Sequence, residues 1–432
     1  MTVLGACGTI ESIYVAGGKT GTGSSADDDL LMTSGTNSPV AITTNPYDKG
    51  GWSFVTLDGG GMSTNPWTAF TAGQTLWHYG SFKVTDFAAT VNDPFAFIYP
   101  SSSPTNATGR MRMSFVYSTA GTPDKFMVRV EIYTAGAWSI VGTSTEEFDE
   151  DVLYTYRWAI KDSVPRTTTV IISTSTFGSA LTNLNGASLG TAPLLTAEPC
   201  FVNSSTSKNV AASIDLYEYW SQDSSGSDTA IEYTTATTSY HVVHHMPVRD
   251  LRGQGRWGGK YTLGATLRDE VRAGECWRHI DDGYDNDTKT KEYLYSTDVA
   301  SAVDDALFAL AQQTGTADSI KGVYIAANSG YDTTAGTLVD KLIYRVPSES
   351  ATLTVVAPSQ AGSWSYKWLP LTPGSAAWTK ALFNEFQAGV RRDRVGAVTE
   401  YCSGLIVGVL GTNLVIPSNA KKPMPRGRVV GG

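Results

Sequence analysis

The chain has little charge, little cysteine and no long apolar run. Only 17% of its 432 residues are Asp, Glu, Lys or Arg, and 41 anions outweigh 32 cations for a net charge of −9. A nucleic-acid backbone is gripped by clustered Lys and Arg, so nucleic acid is not an expected partner. No apolar stretch approaches the ~20 residues of a spanning helix, and no membrane insertion is expected. The four cysteines, Cys7, Cys200, Cys276 and Cys402, are scattered and form no Cys-x-x-Cys pair, which argues against zinc. Cys200 and Cys402 sit in apolar, strand-like runs, where buried free thiols are expected. The opening MTVLGACGTI lacks the basic region and apolar stretch of a secretory signal. Synthesis in a cytoplasm is the expectation, with lysis or assembly carrying the chain outside a cell.

Catalytic signatures are also missing. There is no His-Glu-x-x-His, and the Gly-x-Ser-x-Gly spacing at 186–190 and the Gly-x-Gly-x-x-Gly spacing at 253–258 are followed by no helical pattern, which both motifs require. The run VAGGKTGTGSS contains Gly18-Lys19-Thr20, but the first glycine of a phosphate loop would fall on Ile13, and no helical pattern follows. An arm or a set of loops is the expectation for residues 1–50, with Ile10 to Val15 as the one strand-like stretch.

What the chain does have is β-pattern. Hydrophobic residues make up 41% of it, enough for packed cores, and 432 residues are more than one core usually serves. Between residues 51 and 222 about ten short runs recur with turn signals between them. In Arg110 to Tyr117, Met111, Met113 and Phe115 alternate with Arg110, Arg112 and Ser114; in Lys125 to Tyr133, Phe126, Val128, Val130 and Ile132 share one face. Such alternation without helices predicts an antiparallel β-sandwich. Residues 223–239 are polar and short of aliphatics and form the expected linker. A second β-rich unit follows over 240–416, with strands expected at YHVVHHMPV, ECWRHI, YLYST, LFALAQQ, GVYIAA, KLIYRV, ATLTVVA, YKWLPL and within Thr399 to Leu410.

One segment departs from this pattern. LTPGSAAWTKALFNEFQAGVRR places Trp378, Leu382 and Phe386 at i, i+4 and i+8 with Phe383 beside them, and Lys380, Asn384 and Gln387 opposite. This spacing predicts a helix over about 375–389. Ser375 would be its N-cap, Gly389 its C-terminal glycine, and Arg391 and Arg392 would face the dipole. The fold class is thus all-β: two antiparallel, jelly-roll-like β-sandwiches, one helix in the second, and extended arms at both ends. The arm 417–432 has prolines, glycines and the cations Lys421, Lys422, Arg426 and Arg428. Ordering such arms costs about 1–2 kcal/mol per residue, which their few apolar side chains cannot supply. Docking onto other subunits, with those cations as the assembly contacts, is the expectation.

Two resemblances sharpen this. The Trp-Thr pair before a helix ending AGVRR, the Pro247 to Asp250 turn, Gly255, Trp257, Gly258, Asp269-Glu270, the run IDDGYDND, and the segments IKGVYIAANSGYDTTAG and LVDKLIYRV resemble a family of tailed-bacteriophage virion proteins, over roughly Tyr240 to Ile416. The resemblance implies a non-enzymatic particle component located in the virion, a decoration, fibre or adaptor-like accessory on capsid or tail. It would act by assembly with copies of itself and other virion proteins. The first unit resembles a concanavalin/laminin-G-type jelly roll, with WHYGSFKV early and IDLYEYW last. That resemblance raises two alternatives, a receptor-binding lectin that grips a host-surface glycan and, third, a glycoside hydrolase.

Candidate sites follow from these alternatives. Retaining glycosidases need two carboxylates ~5–5.5 Å apart. In SIDLYEY, Ser213 stands where the nucleophilic Glu of the similar family would be, and strict alternation puts Asp215 and Glu218 on opposite faces; no catalytic residue is assigned. Trp67, Tyr79, Trp138 and Trp257 are the aromatics in or near loops that can stack on sugar rings, with core packing as the other reading of each. No cofactor is expected, with one exception. The acidic loop bearing Asp281, Asp282, Asp285 and Asp287 offers oxygens to Ca²⁺, against the reading of a solvated charge run. His241, His244 and His245 cannot close on one ion from a single strand, since His241 and His245 are ~13 Å apart there. A strand with partly buried histidines is expected.

Overall fold

The computed structural model of the protein describes residues 2–7, 32–34, 41–44, 52–56, 61–64, 73–88, 94–100, 108–117, 125–161, 167–174, 182–185, 200–203, 211–223, 240–252, 257–263, 266–270, 276, 280, 292–296, 304–317, 319–331, 341–357, 364–369, 371–392 and 400–415. Among them the secondary structure is almost wholly antiparallel β, with one short helix. The chain divides into two compact units, the second running from His241 onward.

The first unit is a sandwich of two main sheets, with Ala41–Thr44 and Trp52–Thr56 forming a separate two-stranded pair. One orders its strands Thr2–Cys7, Ala211–Asp223, Thr75–Ala88, Tyr154–Lys161, Thr167–Thr174, Thr182–Asn185. The other runs Ala137–Thr143, Lys125–Thr134, Met111–Tyr117, Pro94–Tyr99, Cys200–Asn203, Gly61–Thr64, Met32–Ser34, and Phe148–Asp149 also pairs with Lys125–Thr134. Alternation explains the core. Phe82 and Tyr154 from the first sheet meet Phe115 and Phe126 from the second, with Phe82 and Phe115 edge-on at 4.8 Å. Burying each such ring contributes roughly 1.5–3 kcal/mol. The strand Thr2–Cys7 falls inside the segment expected as arm and loops, yet it pairs with Ala211–Asp223 at the sheet edge. Its six residues, TVLGAC, are few and are interrupted at Gly5, where the pairing shifts register, and the pairing partner supplies the order.

Tyr156 and Gly80 stand opposite each other across two strands, and a Cβ on Gly80 would lie 2.6 Å from the tyrosine ring. The absent side chain makes room for the ring. The second unit repeats the device with Tyr324 laid over Gly408.

The second unit is also two sheets. One orders Thr266–Glu270, Trp257–Leu263, Glu292–Ser296, Glu400–Thr412, Ser319–Tyr331, Trp364–Leu369, with Tyr240–His245 also on Glu400–Thr412. The other runs Pro247–Arg252, Asp304–Leu310, Gln387–Arg392, Lys341–Arg345, Thr354–Val356. Val323, Ile325, Leu405 and Val407 from the first meet Phe308, Leu342 and Val390 from the second in one core. The run YHVVHHMPV, expected as one strand, breaks at Met246, and its halves join different sheets. Cys276, expected in a strand, sits in a 3₁₀ turn.

The helix is far shorter than its spacing predicts. It covers Lys380–Glu385, and its N-cap is Thr379, whose hydroxyl accepts from Leu382 N at 3.2 Å. Ser375 is instead in a turn at φ 64°, with its N–H on Thr372 O at 2.8 Å. Gly389 is not a helix end. It lies mid-strand in Gln387–Arg392, paired with Leu307 on one side and Ile343 on the other. Two-sided pairing in a sheet outweighs the weak helical preference of QAGVRR. Trp378, Phe383 and Phe386 are buried as expected, but Leu382 is only partly so. Asn384, expected on the outer side, accepts from Gln313 N at 2.7 Å and donates to Gln313 O at 3.1 Å. Its amide thus stands in for a strand neighbour.

Candidate functional site

On the first unit's larger sheet the outward residues form a second cluster, separate from the sandwich core. Registers fix it. Phe97 stands opposite Ser114, Ser114 opposite Arg129, Arg112 opposite Glu131, and Trp138 opposite Tyr133. Their neighbours Ile98, Met113, Val130 and Ile132 take the core face and are buried. A two-residue turn, Ala135 at φ 50° and Gly136 at φ 85°, joins the strands carrying Tyr133 and Trp138. Both residues left-handed is the geometry of the tightest hairpins. The Tyr133 hydroxyl donates to Gly136 O at 2.9 Å and closes the turn.

Arg112 organises the face. Its guanidinium carbon lies 4.1 Å from the ring centres of both Phe97 and Trp138, within cation–π range. Arg112 Nε donates to Glu131 Oε2 at 2.6 Å, and the Ser114 hydroxyl donates to the same oxygen. The side chains of Arg112 and Glu131 retain 12% and 7% of their exposure, so this ion pair is largely dry. Such a pair stands firm only when hydrogen bonds and packing compensate its desolvation. The rings supply that packing: Trp138 meets Tyr99 at 6.0 Å and Tyr133 at 5.3 Å. Phe97 and Tyr99 are buried, while Tyr133 and Trp138 are half-buried and Ile140 is 56% exposed. The result is a rigid aromatic platform with a charged centre and an open rim.

The candidates from sequence fare unequally. Trp138 is part of this platform. Tyr79 is a correction: it has 0% exposure and stacks on Trp77 inside the molecule at 6.5 Å, so no sugar can reach its ring. Trp67, the loop residues Asp281, Asp282, Asp285 and Asp287, and the arm cations Lys421, Lys422, Arg426 and Arg428 lie outside the described residues, as does the side chain of Trp257. Among the described residues no group of three metal-donor side chains occurs. The strand bearing Ser213, Asp215 and Glu218 carries a register shift between Leu216 and Tyr219, so the strict alternation applied to it breaks at that point.

His245 is fully buried, as a strand histidine with a structural role. Its Nδ1 is 2.8 Å from Ala311 O, and its ring meets Phe383 edge-on at 4.6 Å. Burial lowers its pKa to about 4, so it is neutral at physiological pH. The side chains of His241 and His244 lie outside the described residues. Cys276 and Cys402 are buried free thiols. Burial first, then the charge of Asp250, pushes the Cys276 thiol up to about 12, which leaves it unreactive.

Sequence reasoning placed Arg112 and Ser114 on an outward face but did not join them to Phe97, Tyr99, Glu131 and Tyr133. The signal was in the alternation of RMRMSF and VRVEIY; what was missing was the register between strands.

No family model matches the chain, and no curated protein matches it. Several solved structures are similar over part of it. Winged bean acidic lectin complexed with methyl-alpha-D-galactose aligns at 10% identity and TM-score 0.32, covering 46% of this chain and 94% of that one. The carbohydrate recognition domain of Emp47p aligns at 9% identity and TM-score 0.30, covering 51% and 96%. Lectin II from Ulex europaeus aligns at 10% identity and TM-score 0.28, covering 40% and 85%.

Proposed function

We propose that the protein is a non-enzymatic glycan-binding β-sandwich protein whose first unit takes a saccharide on the face of Trp138. The observation that carries this is Arg112 held against both Phe97 and Trp138, with Tyr133 and Ile140 at the open rim. A sugar ring has an apolar face of C–H groups and a rim of hydroxyls. An aromatic platform meets the first, and fixed polar side chains meet the second. Virion assembly, which the resemblance of residues 240–416 implies, is a role for the second unit. A particle protein that grips a host-surface glycan would use both.

A glycan array probed with the purified chain tests this. We expect binding to a restricted set of saccharides, and about tenfold weaker binding by Trp138→Ala, the size of one lost stacking contact. Leu371→Ala, at an exposed apolar residue of the second unit, should bind as the parent does. An array without binding, or a Trp138→Ala variant that binds undiminished, contradicts the proposal.

A further inference from the structure

Resting on the glycan reading, we infer that the saccharide this face takes is acidic, carrying a carboxylate or sulfate that the Arg112 guanidinium receives. The argument is one of donors and acceptors. Glu131 is the carboxylate of the cluster, and its Oε2 already accepts from Arg112 Nε and from the Ser114 hydroxyl. It has 5% exposure, so it has little to offer an incoming hydroxyl. Arg112 is different. Its hydrogen bond uses Nε, and among the described residues no partner takes Nη1 or Nη2. These two groups form the planar edge that meets a carboxylate or sulfate through two parallel bonds. Phe97 and Trp138 hold the plane of that edge in place at 4.1 Å each, so little rotamer freedom is left to lose on binding.

Two further cations stand on the neighbouring positions of the sheet. Arg129, opposite Ser114, is two residues along the strand from Glu131, and Arg110 precedes Met111 across from Tyr133. The acidic turn from Glu146 follows the far end of Ala137–Thr143, where Thr143 pairs with Arg129, and its Asp149 meets Lys125 at 3.0 Å. The acidic ligand is therefore assigned to the Arg112 fork and not to the general charge of the face.

Calorimetric titration of the intact chain with three matched ligands decides the matter: a neutral oligosaccharide, its sulfated derivative and a uronic-acid oligosaccharide of the same length. We expect an acidic ligand to bind at least tenfold tighter than the neutral one at low salt. Its affinity should fall as salt rises. The two acidic ligands separate sulfate from carboxylate as the group received. Arg112→Lys keeps the charge and loses the fork, and should lose most of that preference. The double variant R112Q/E131Q removes both charges without leaving one buried alone, and should bind acidic and neutral ligands equally. Equal affinity of the parent for all three, insensitive to salt, overturns the acidic ligand and leaves the glycan reading standing. Failure to bind any of the three or any arrayed saccharide overturns both.

Discussion

Gly389 shows how one residue can hold two readings until its neighbours are known. Beside AGVRR it suits the end of a helix; in the structure it is the point of closest approach between two strands. A Cβ there would lie 1.8 Å from Ala306 O and 2.8 Å from Ala306 C. Both are backbone atoms that cannot move without breaking the pairing of Asp304–Leu310. Gly389→Ala should destabilise the second unit by more than about 3 kcal/mol, the upper range for overpacking. Gly136→Ala meets no atom within 4 Å and is strained only by its φ of 85°, so about 1 kcal/mol is expected. Urea denaturation of the two variants compares them directly, and equal losses would refute the close approach.

His245 makes a second prediction at this scale. Its pKa is about 6.5 in an unfolded chain and about 4 when buried. The unfolded state therefore binds the proton more readily between those values. Stability from this residue is complete above pH 6.5 and is lost as pH falls through about 4, by roughly 3 kcal/mol in all. His245→Gln, which has nothing to titrate there, should lose less stability than the parent between pH 7 and pH 4. Identical urea midpoints against pH for both chains would show that the ring titrates freely.

At the scale of elements, alternation located most strands of both sandwiches. A strand with one buried face must write its side chains in period two, as RMRMSFVY and KFMVRVEIY do. Elements without that stamp were lost. Gln387–Arg392 sits centrally, and its strand character comes from partners on both sides, which no local pattern records. For the same reason Trp138 was legible as a candidate and its setting was not, because registers between strands are long-range facts. The short helix closes an end of the second core through Phe383, which is 1% exposed, while Leu382 is partly buried. Phe383→Ala should therefore cost about 3–5 kcal/mol and Leu382→Ala under half of that. Thermal unfolding ranks them, and the reverse order would move the buried side of the helix to Leu382.

At the scale of the molecule, each unit has its own pair of sheets and its own core, and the two carry different parts of the proposed function. The glycan face belongs to the first unit and rests on a hairpin whose turn, ion pair and rings fix Trp138 in place. The most direct test observes that residue. The chain has eleven tryptophans, and their indole N–H signals can be followed in solution, with Trp138 assigned by its loss in Trp138→Phe. The Trp158 and Trp378 indoles are committed to Thr168 Oγ1 at 2.8 Å and Leu369 O at 2.9 Å and serve as internal references. On addition of an oligosaccharide selected on the array, the account predicts that the Trp138 signal moves with the titration while those two stay fixed. A Trp138 signal that stays fixed while the saccharide binds would contradict it.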